Sequence, residues 1–267
     1  MMGPHDRVMM DDERALHTLD VHFAMALGCS AADLRRPGWT MVTVRDEGDP
    51  MALLFGRRTL LSLLVPYSAD GSLERGGVAR VAPELRERVA ELLREVPPSA
   101  VCQPDALLLL DNLARRMVPE CAPAPHEAHT HVRYATASGF TPYVGPWLDW
   151  IEPLDESAEL EAGALNLLAQ HGAGVWVVRS QGTVISFAGI RALSPHVSDV
   201  TVRTDAEPHR GHGLARAVTS RATRAVLSSG RLPLFRHAAS QTAAAHVGES
   251  LGYRRYADAI EYVAPAR

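Results

Sequence analysis

The chain contains no lysine: all 27 of its basic residues are arginine. That excludes mechanisms through a lysine Schiff base, including the usual pyridoxal-phosphate attachment, and it excludes the lysine of a P-loop. Cysteine is scarce. Cys29, Cys102 and Cys121 are odd in number and far apart, which fits reduced thiols in a cytoplasmic protein better than a disulfide framework. No apolar run approaches the ~18 residues of a membrane span. The opening residues, Met1 to Asp6, lack the apolar core of a signal peptide. Positive excess is missing too, and a net charge of −4 argues against a general nucleic-acid binder. What is present, 46% hydrophobic residues over 267, is enough for one large domain or two.

Periodicity gives the first half an α+β pattern. Leu16, Leu19, Phe23 and Leu27 mark a helix over 11–27, and Ser30 with Asp33 forms a capping box for a short turn that stops near Pro37. Strand-like segments fall at Thr40–Arg45, Ala52–Arg57, Leu60–Val65 and Val78–Val81. Pro83 opens a helix that runs to Pro97, and Asp105–Met117 forms another. Prolines crowd residues 119–146 around a strand at Thr130–Ala135, which puts a domain boundary near 142, giving an N-terminal domain over 1–142 and a second over 143–267. In the second half, Trp147–Leu154 reads as a strand and Asp155 begins a helix. Val175–Arg179 and Thr183–Ala192 read as a hairpin turning at Ser180–Gly182. Ser198–Arg203 is a strand, 213–229 a helix, Leu232–His237 a strand, Ser240–Leu251 a helix, and Ala259–Val263 a last strand.

One stretch stands apart. The strand ending near Arg203 passes through a polar connection into Arg210-Gly211-His212-Gly213, and a helical pattern begins at Leu214. The start of a helix leaves N–H groups without intrahelical partners and carries the positive end of the helix dipole, an arrangement suited to a phosphate or pyrophosphate. Two glycines there suit a close backbone approach by a ligand. A short glycine pair also commonly serves only to turn the chain. Seven arginines against Asp205 and Glu207 leave 203–236 at +5, so the remainder of the chain totals −9. That local positive charge suits an anionic ligand, while Arg221 and Arg224 also fit a solvated outer helix face.

The order of elements over 147–263 resembles the GNAT superfamily of N-acetyltransferases. Pro208 to Ala215 is similar to the family's Arg/Gln-x-x-Gly-x-Gly/Ala pyrophosphate loop. Gln241 to Tyr253 is similar to the segment that begins with Asn and ends Leu-Gly-Phe/Tyr. The whole chain resembles two-part GNAT proteins in which a divergent, half-GNAT-like N-terminal domain precedes the acetyl-CoA-binding one, an α/β fold with a mixed sheet.

The resemblance implies an acyl-CoA-dependent N-acetyltransferase with acetyl-CoA as co-substrate and no metal. The acceptor would be a primary amine of a small molecule, with the N-terminal half along one side of its cleft. It implies a cytoplasmic monomer or homodimer with no nucleic-acid or membrane partner. Backbone groups of Val200, Thr201 and Val202 would pair with the pantetheine arm. Backbone N–H groups of Arg210, Gly211, His212, Gly213, Leu214 and Ala215 would hold the pyrophosphate. Gln241 stands where the family has an Asn touching the pantetheine. Asp199, the one carboxylate on Ser198–Arg203, is the candidate base, although an Asp entering a strand also commonly bonds a nearby turn. The family's acid, a Tyr seven residues after that Asn, falls here on Gly248, leaving His246, Tyr253 or solvent to serve. Two other readings follow. Gly248 suits a non-catalytic acyl-CoA-binding or regulatory module. His126-Glu127-Ala128-His129-Thr130-His131 suits a metal-dependent enzyme, with His129 and His131 on one strand face and no third ligand near in sequence but Glu127.

Overall fold

A computed structural model describes residues 4–44, 57–73, 76–118, 129–154, 174–205 and 209–265. The expected Ala52–Arg57 strand, the helix expected from Asp155, and His126, Glu127 and Cys121 lie outside these residues or nearly so. The chain mixes helices and strands and divides into two compact units that are not contiguous halves. One comprises Met1–Ala15, Arg133–Arg236 and Thr242–Arg254; the other comprises Leu16–Val132, His237–Gln241 and Arg255–Arg267. A single cut at 142/143 misses this because the last strand returns to the N-terminal part of the chain.

In that second unit, α1 (Pro4–Leu27, from Leu16 on) and α2 (Ala31–Arg35) lead into β1 (Gly38–Thr43), β2 (Arg57–Pro66) and β3 (Gly76–Val81). The expected capping box at α2 is present: Ser30 and Asp33 each accept the other's backbone N–H. β1 pairs parallel with β3, β3 antiparallel with β2, and β2 antiparallel with β10 (Arg254–Pro265), Ala257 lying opposite Pro66 and Pro265 opposite Arg57. The sequence suggested five residues for β10, and its pairing with β2 carries it to twelve. Helices α3 (Arg86–Glu95) and α4 (Pro104–Met117) cover one face. Their Val89, Leu93, Leu110 and Ala114 pack with Leu61, Leu63, Val81, Ile260 and Tyr262 into one apolar core. Asp20 is buried, yet Arg35 donates to it at 2.9 and 2.8 Å and the Tyr256 hydroxyl at 2.9 Å, so the carboxylate is compensated. β4 (His129–Tyr134) begins in this unit, and its residues from Arg133 on fall in the other.

In the first unit, β5 (Glu152–Pro153), β6 (Val175–Ser180), β7 (Thr183–Ala192) and β8 (Val197–Thr204) form an antiparallel run. The β6–β7 turn is the expected one. Gln181 at φ 51° and Gly182 at φ 85° give the two left-handed residues of a tight hairpin whose twist matches its strands. Helix α5 (Leu214–Ser228) lays Leu214, Val218, Ala222 and Val226 over Val178, Ile185, Ala188 and Val200, the stripe its i, i+4 spacing requires. β9 (Leu232–Ala238, to Arg236) and α6 (Thr242–Ser250) complete the unit.

The strand expected at Trp147–Leu154 is instead a 3₁₀ turn over Leu148–Trp150 followed by the two-residue β5. Pro146 and Pro153 bracket the segment and remove ladder donors. The Trp147 indole N–H bonds outward to the His212 carbonyl at 2.6 Å. Among the described residues, no helix is long and apolar enough to cross a membrane.

Candidate functional site

The divergence of two parallel strands builds the site. β8 pairs with β9 only from Val197 to Asp199, opposite Leu232 to Leu234. It keeps β7 as a partner through Thr204, opposite Ser186. Beyond Asp199 the β9-facing backbone groups of Val200, Thr201 and Val202 therefore have no strand in register among the described residues. Val200 is 1% exposed and packs in the core, Val202 is half-buried, and Thr201 is exposed. An unpaired strand edge of this kind can accept an extended ligand through alternating N–H and C=O groups.

The chain then passes through residues 209–213 into α5. Gly211 has φ 82° and Gly213, the residue that caps the helix, has φ 84°. Both are left-handed, a region that costs a side-chain-bearing residue roughly 1–2 kcal/mol. A Cβ at Gly211 would meet nothing within 4 Å among the described residues, and one at Gly213 would lie 3.7 Å from the Tyr143 hydroxyl. The glycines are thus required by backbone conformation, not by crowding from the protein. The Gly213 carbonyl accepts from Ala217 N–H at 3.0 Å. The N–H groups of Leu214, Ala215 and Arg216 precede the first helical acceptor and are free to face an anion. Arg210, Gly211 and His212 are exposed beside them.

Two aromatic residues hold this loop, and the sequence patterning gave no hint of either role. Tyr143, 8% exposed, lies below Gly213 with the Arg216 guanidinium 5.6 Å from its ring centre, and its N–H donates to Ser220 Oγ at 2.9 Å. Trp147 fixes the His212 carbonyl. Tyr143 lies in the proline-rich stretch where a boundary was expected and Trp147 directly after it, and only tertiary contact gives them meaning.

Asp199 sits where β8 leaves β9 and is 4% exposed. Arg236 donates to Oδ1 at 3.2 Å and to Oδ2 at 3.0 Å, and Arg191 lies 3.4 Å from Oδ2. The carboxylate lone pairs that a base would use are engaged by these guanidiniums, a geometry that anchors the bifurcation. Arg203 pairs with Asp205 at 2.9 Å. Two of the seven arginines between 203 and 236 thus pair with carboxylates of the protein, and a third, Arg216, lies over Tyr143.

The positions considered for a proton donor separate clearly. Gly248 is tightly packed: a Cβ there would lie 3.2 Å from Phe235 Cδ1 and 3.4 Å from Arg133 Cδ, so no larger side chain fits without displacing them. Tyr253 is 3% exposed, bonded to Thr223 Oγ1 at 2.7 Å, and burial pushes its phenol above the usual range. It is a core residue. His246 is exposed. Gln241 is exposed in the other unit, its N–H on the Ala238 carbonyl at 2.9 Å.

Comparison with known proteins gives the site a context. The family model described as GNAT acetyltransferase matches residues 164–262. No curated protein matches the chain. Among solved structures, a GCN5-related N-acetyltransferase from Kribbella flavida shares 16% identity over 61% of this chain and 64% of its own, with a TM-score of 0.40. A GCN5-related N-acetyltransferase-like protein from Streptococcus suis shares 19% over 75% and 83%, also at 0.40. A GCN5-related N-acetyltransferase from Sphaerobacter thermophilus shares 12% over 77% and 81%, at 0.44. The chain thus spans less than two thirds of the Kribbella protein. The matched residues take in β6 to β9, the glycine loop and α5, and over this part the chain is similar to GNAT acetyltransferases.

Proposed function

We propose that this domain binds acetyl-CoA and transfers its acetyl group to a primary amine of a small molecule. The pyrophosphate would rest on the N–H groups from Arg210 to Ala215, and the pantetheine arm would lie along Val200, Thr201 and Val202. The observation that carries this reading is the departure of β8 from β9 at Asp199, followed by two left-handed glycines at the start of α5. The strand edge suits an amide-bearing arm, and the helix start suits a diphosphate at its head. A cytoplasmic setting, where acetyl-CoA is found, accords with it.

In this reaction the neutral amine nitrogen attacks the thioester carbonyl, forming the C–N bond. The C–S bond breaks as the tetrahedral intermediate collapses. The amine gives up a proton, and the departing thiolate takes one. Backbone N–H groups on the free edge of β8 can stabilise the oxyanion. Asp199 would fix Arg236 and Arg191 at the head of this edge, acting as a positioning residue and not as the base. Gln241 belongs to the other unit and carries no part of this reading.

Tight packing at Gly248 favours a second reading, a non-catalytic acyl-CoA-binding module. Incubating the protein with acetyl-CoA and a panel of amines, with detection of released thiol, separates the two. Turnover above the amine-free rate supports transfer. Stoichiometric acetyl-CoA binding with no thiol release across the panel supports the binding module.

A further inference from the structure

The second unit contains a cluster that the acyl-transfer chemistry does not use. Cys102 follows the 3₁₀ turn Pro98–Ala100 and precedes α4, His129 opens β4, and Asp258 lies in β10. Their Sγ, ring nitrogen and carboxylate oxygen all lie within 4.8 Å of one another. His129 Nε2 is 3.5 Å from Asp258 Oδ1. His129 is 9% exposed, and its Nε2, though shut off from solvent, has among the described residues no hydrogen-bond partner closer than this long Asp258 contact. A buried ring nitrogen left unpaired is costly in a folded protein. Here it faces a thiol and a carboxylate.

The surroundings organise this trio. His131 Nδ1 bonds Asp258 Oδ1 at 2.7 Å, and the Tyr67 hydroxyl donates to Oδ2 at 3.0 Å. His131 packs edge-on against both His129 and His237, at 4.9 and 5.3 Å between ring centres. Arg255 lies over the Tyr67 ring at 5.1 Å, contacts His131, and places its Nη2 3.6 Å from Asp258 Oδ1. Its side chain is 34% exposed, so it stands toward solvent and can leave by rotation.

We propose that Cys102 Sγ, His129 Nε2 and the Asp258 carboxylate bind a zinc-class divalent cation, with His131 orienting Asp258 through its Nδ1. Sulfur, imidazole and carboxylate are a donor set for zinc, not for magnesium or calcium. Zinc bonds of about 2.0–2.3 Å require tetrahedral neighbours roughly 3.3–3.8 Å apart. The His129–Asp258 separation meets that already, and the wider spread closes by about an ångström of side-chain movement. The thiol proton passes to solvent as the metal–sulfur bond forms. The ion would displace the Arg255 guanidinium, which now supplies the cluster's positive charge. By joining the approach to α4 to β4 and β10, it would brace this unit. Residues 129–131 were recognisable as a two-ligand start. Cys102 and Asp258, 27 residues before and 129 after His129, were not.

Cobalt(II) titration of the full-length, metal-stripped protein tests this directly. The expected result is a thiolate-to-cobalt charge-transfer band saturating at about one ion per chain. Zinc should displace it, and magnesium or calcium in excess should not. Cys102→Ser should abolish the band and His129→Ala weaken or abolish it, while Cys29→Ser and Cys121→Ser preserve it. His131→Ala should weaken binding roughly 10–100-fold, and Arg255→Gln should tighten it. Zinc at saturating excess should raise the wild-type melting midpoint by roughly 5 °C. A wild type that shows no charge-transfer band overturns the proposal and leaves a hydrogen-bonded polar network. A band that survives Cys102→Ser overturns it as well, the ion then being adventitious. If Cys102→Ser fails to fold, a wild-type band that persists in both Cys29→Ser and Cys121→Ser assigns the thiolate to Cys102, and its loss in either overturns the proposal. Because these measurements never touch the glycine loop, their outcome is independent of acyl-CoA binding.

Discussion

At the scale of single residues, the glycines of the loop give the sharpest expectations. Gly211 has room for a Cβ, so Gly211→Ala is penalised by its left-handed backbone alone, about 1 kcal/mol. Thermal unfolding should show a small loss of stability while CoA affinity falls much further. An unchanged affinity would mean that the loop does not contact the ligand. Asp199 invites a different test because Arg236 and Arg191 hold its oxygens. Asp199→Asn should lower kcat with the shape of the pH–rate profile preserved, as expected of a positioning group. Loss of the acidic limb of that profile would return the base role to Asp199.

At the scale of elements, the segment before β5 determines how rigid the loop is. Trp147→Phe removes the indole donor to the His212 carbonyl and should cost about 1 kcal/mol. It should also weaken CoA binding without altering the rest of the fold, which calorimetry and circular dichroism together can read. Most elements were legible because their signals are local. The Ser30 capping box, the Gln181-Gly182 hairpin and the α5 stripe each follow from a few neighbouring residues. Trp147 was misplaced on a strand because alternation cannot register an indole N–H bonded to a carbonyl 65 residues away. The ladder between β10 and β2 was equally invisible, and it is what makes the units discontinuous. At the site, the glycine loop was legible, since glycine pairs announce unusual backbone. The pairing of Asp199 with Arg236 was not, because it depends on the register between two strands.

At the scale of the whole molecule, each unit buries tyrosines that resist ionisation. Burial foremost raises the pKa of Tyr253 in one unit and of Tyr67 and Tyr256 in the other, with the Asp258 and Asp20 carboxylates adding to it at Tyr67 and Tyr256. A phenol whose pKa is higher folded than unfolded adds stability that is complete below the unfolded value near 10. That stability is lost as pH climbs past it. In an alkaline titration followed by ultraviolet absorbance, these three should ionise only as the protein unfolds. Their ionisation in a chain that keeps its circular dichroism would show that the cores are open to water.

The central claim, that an acyl-CoA pyrophosphate sits where β8 runs into α5, is tested most directly by calorimetric titration of CoA into the wild type and Gly213→Val. A β-branched residue at φ 84° cannot hold this turn without strain, and the turn aligns the N–H groups of Leu214 and Ala215. The expected result is one CoA per chain for the wild type and binding at least roughly 100-fold weaker in a variant whose circular dichroism is unchanged. Equal affinity in the folded variant would contradict the assignment.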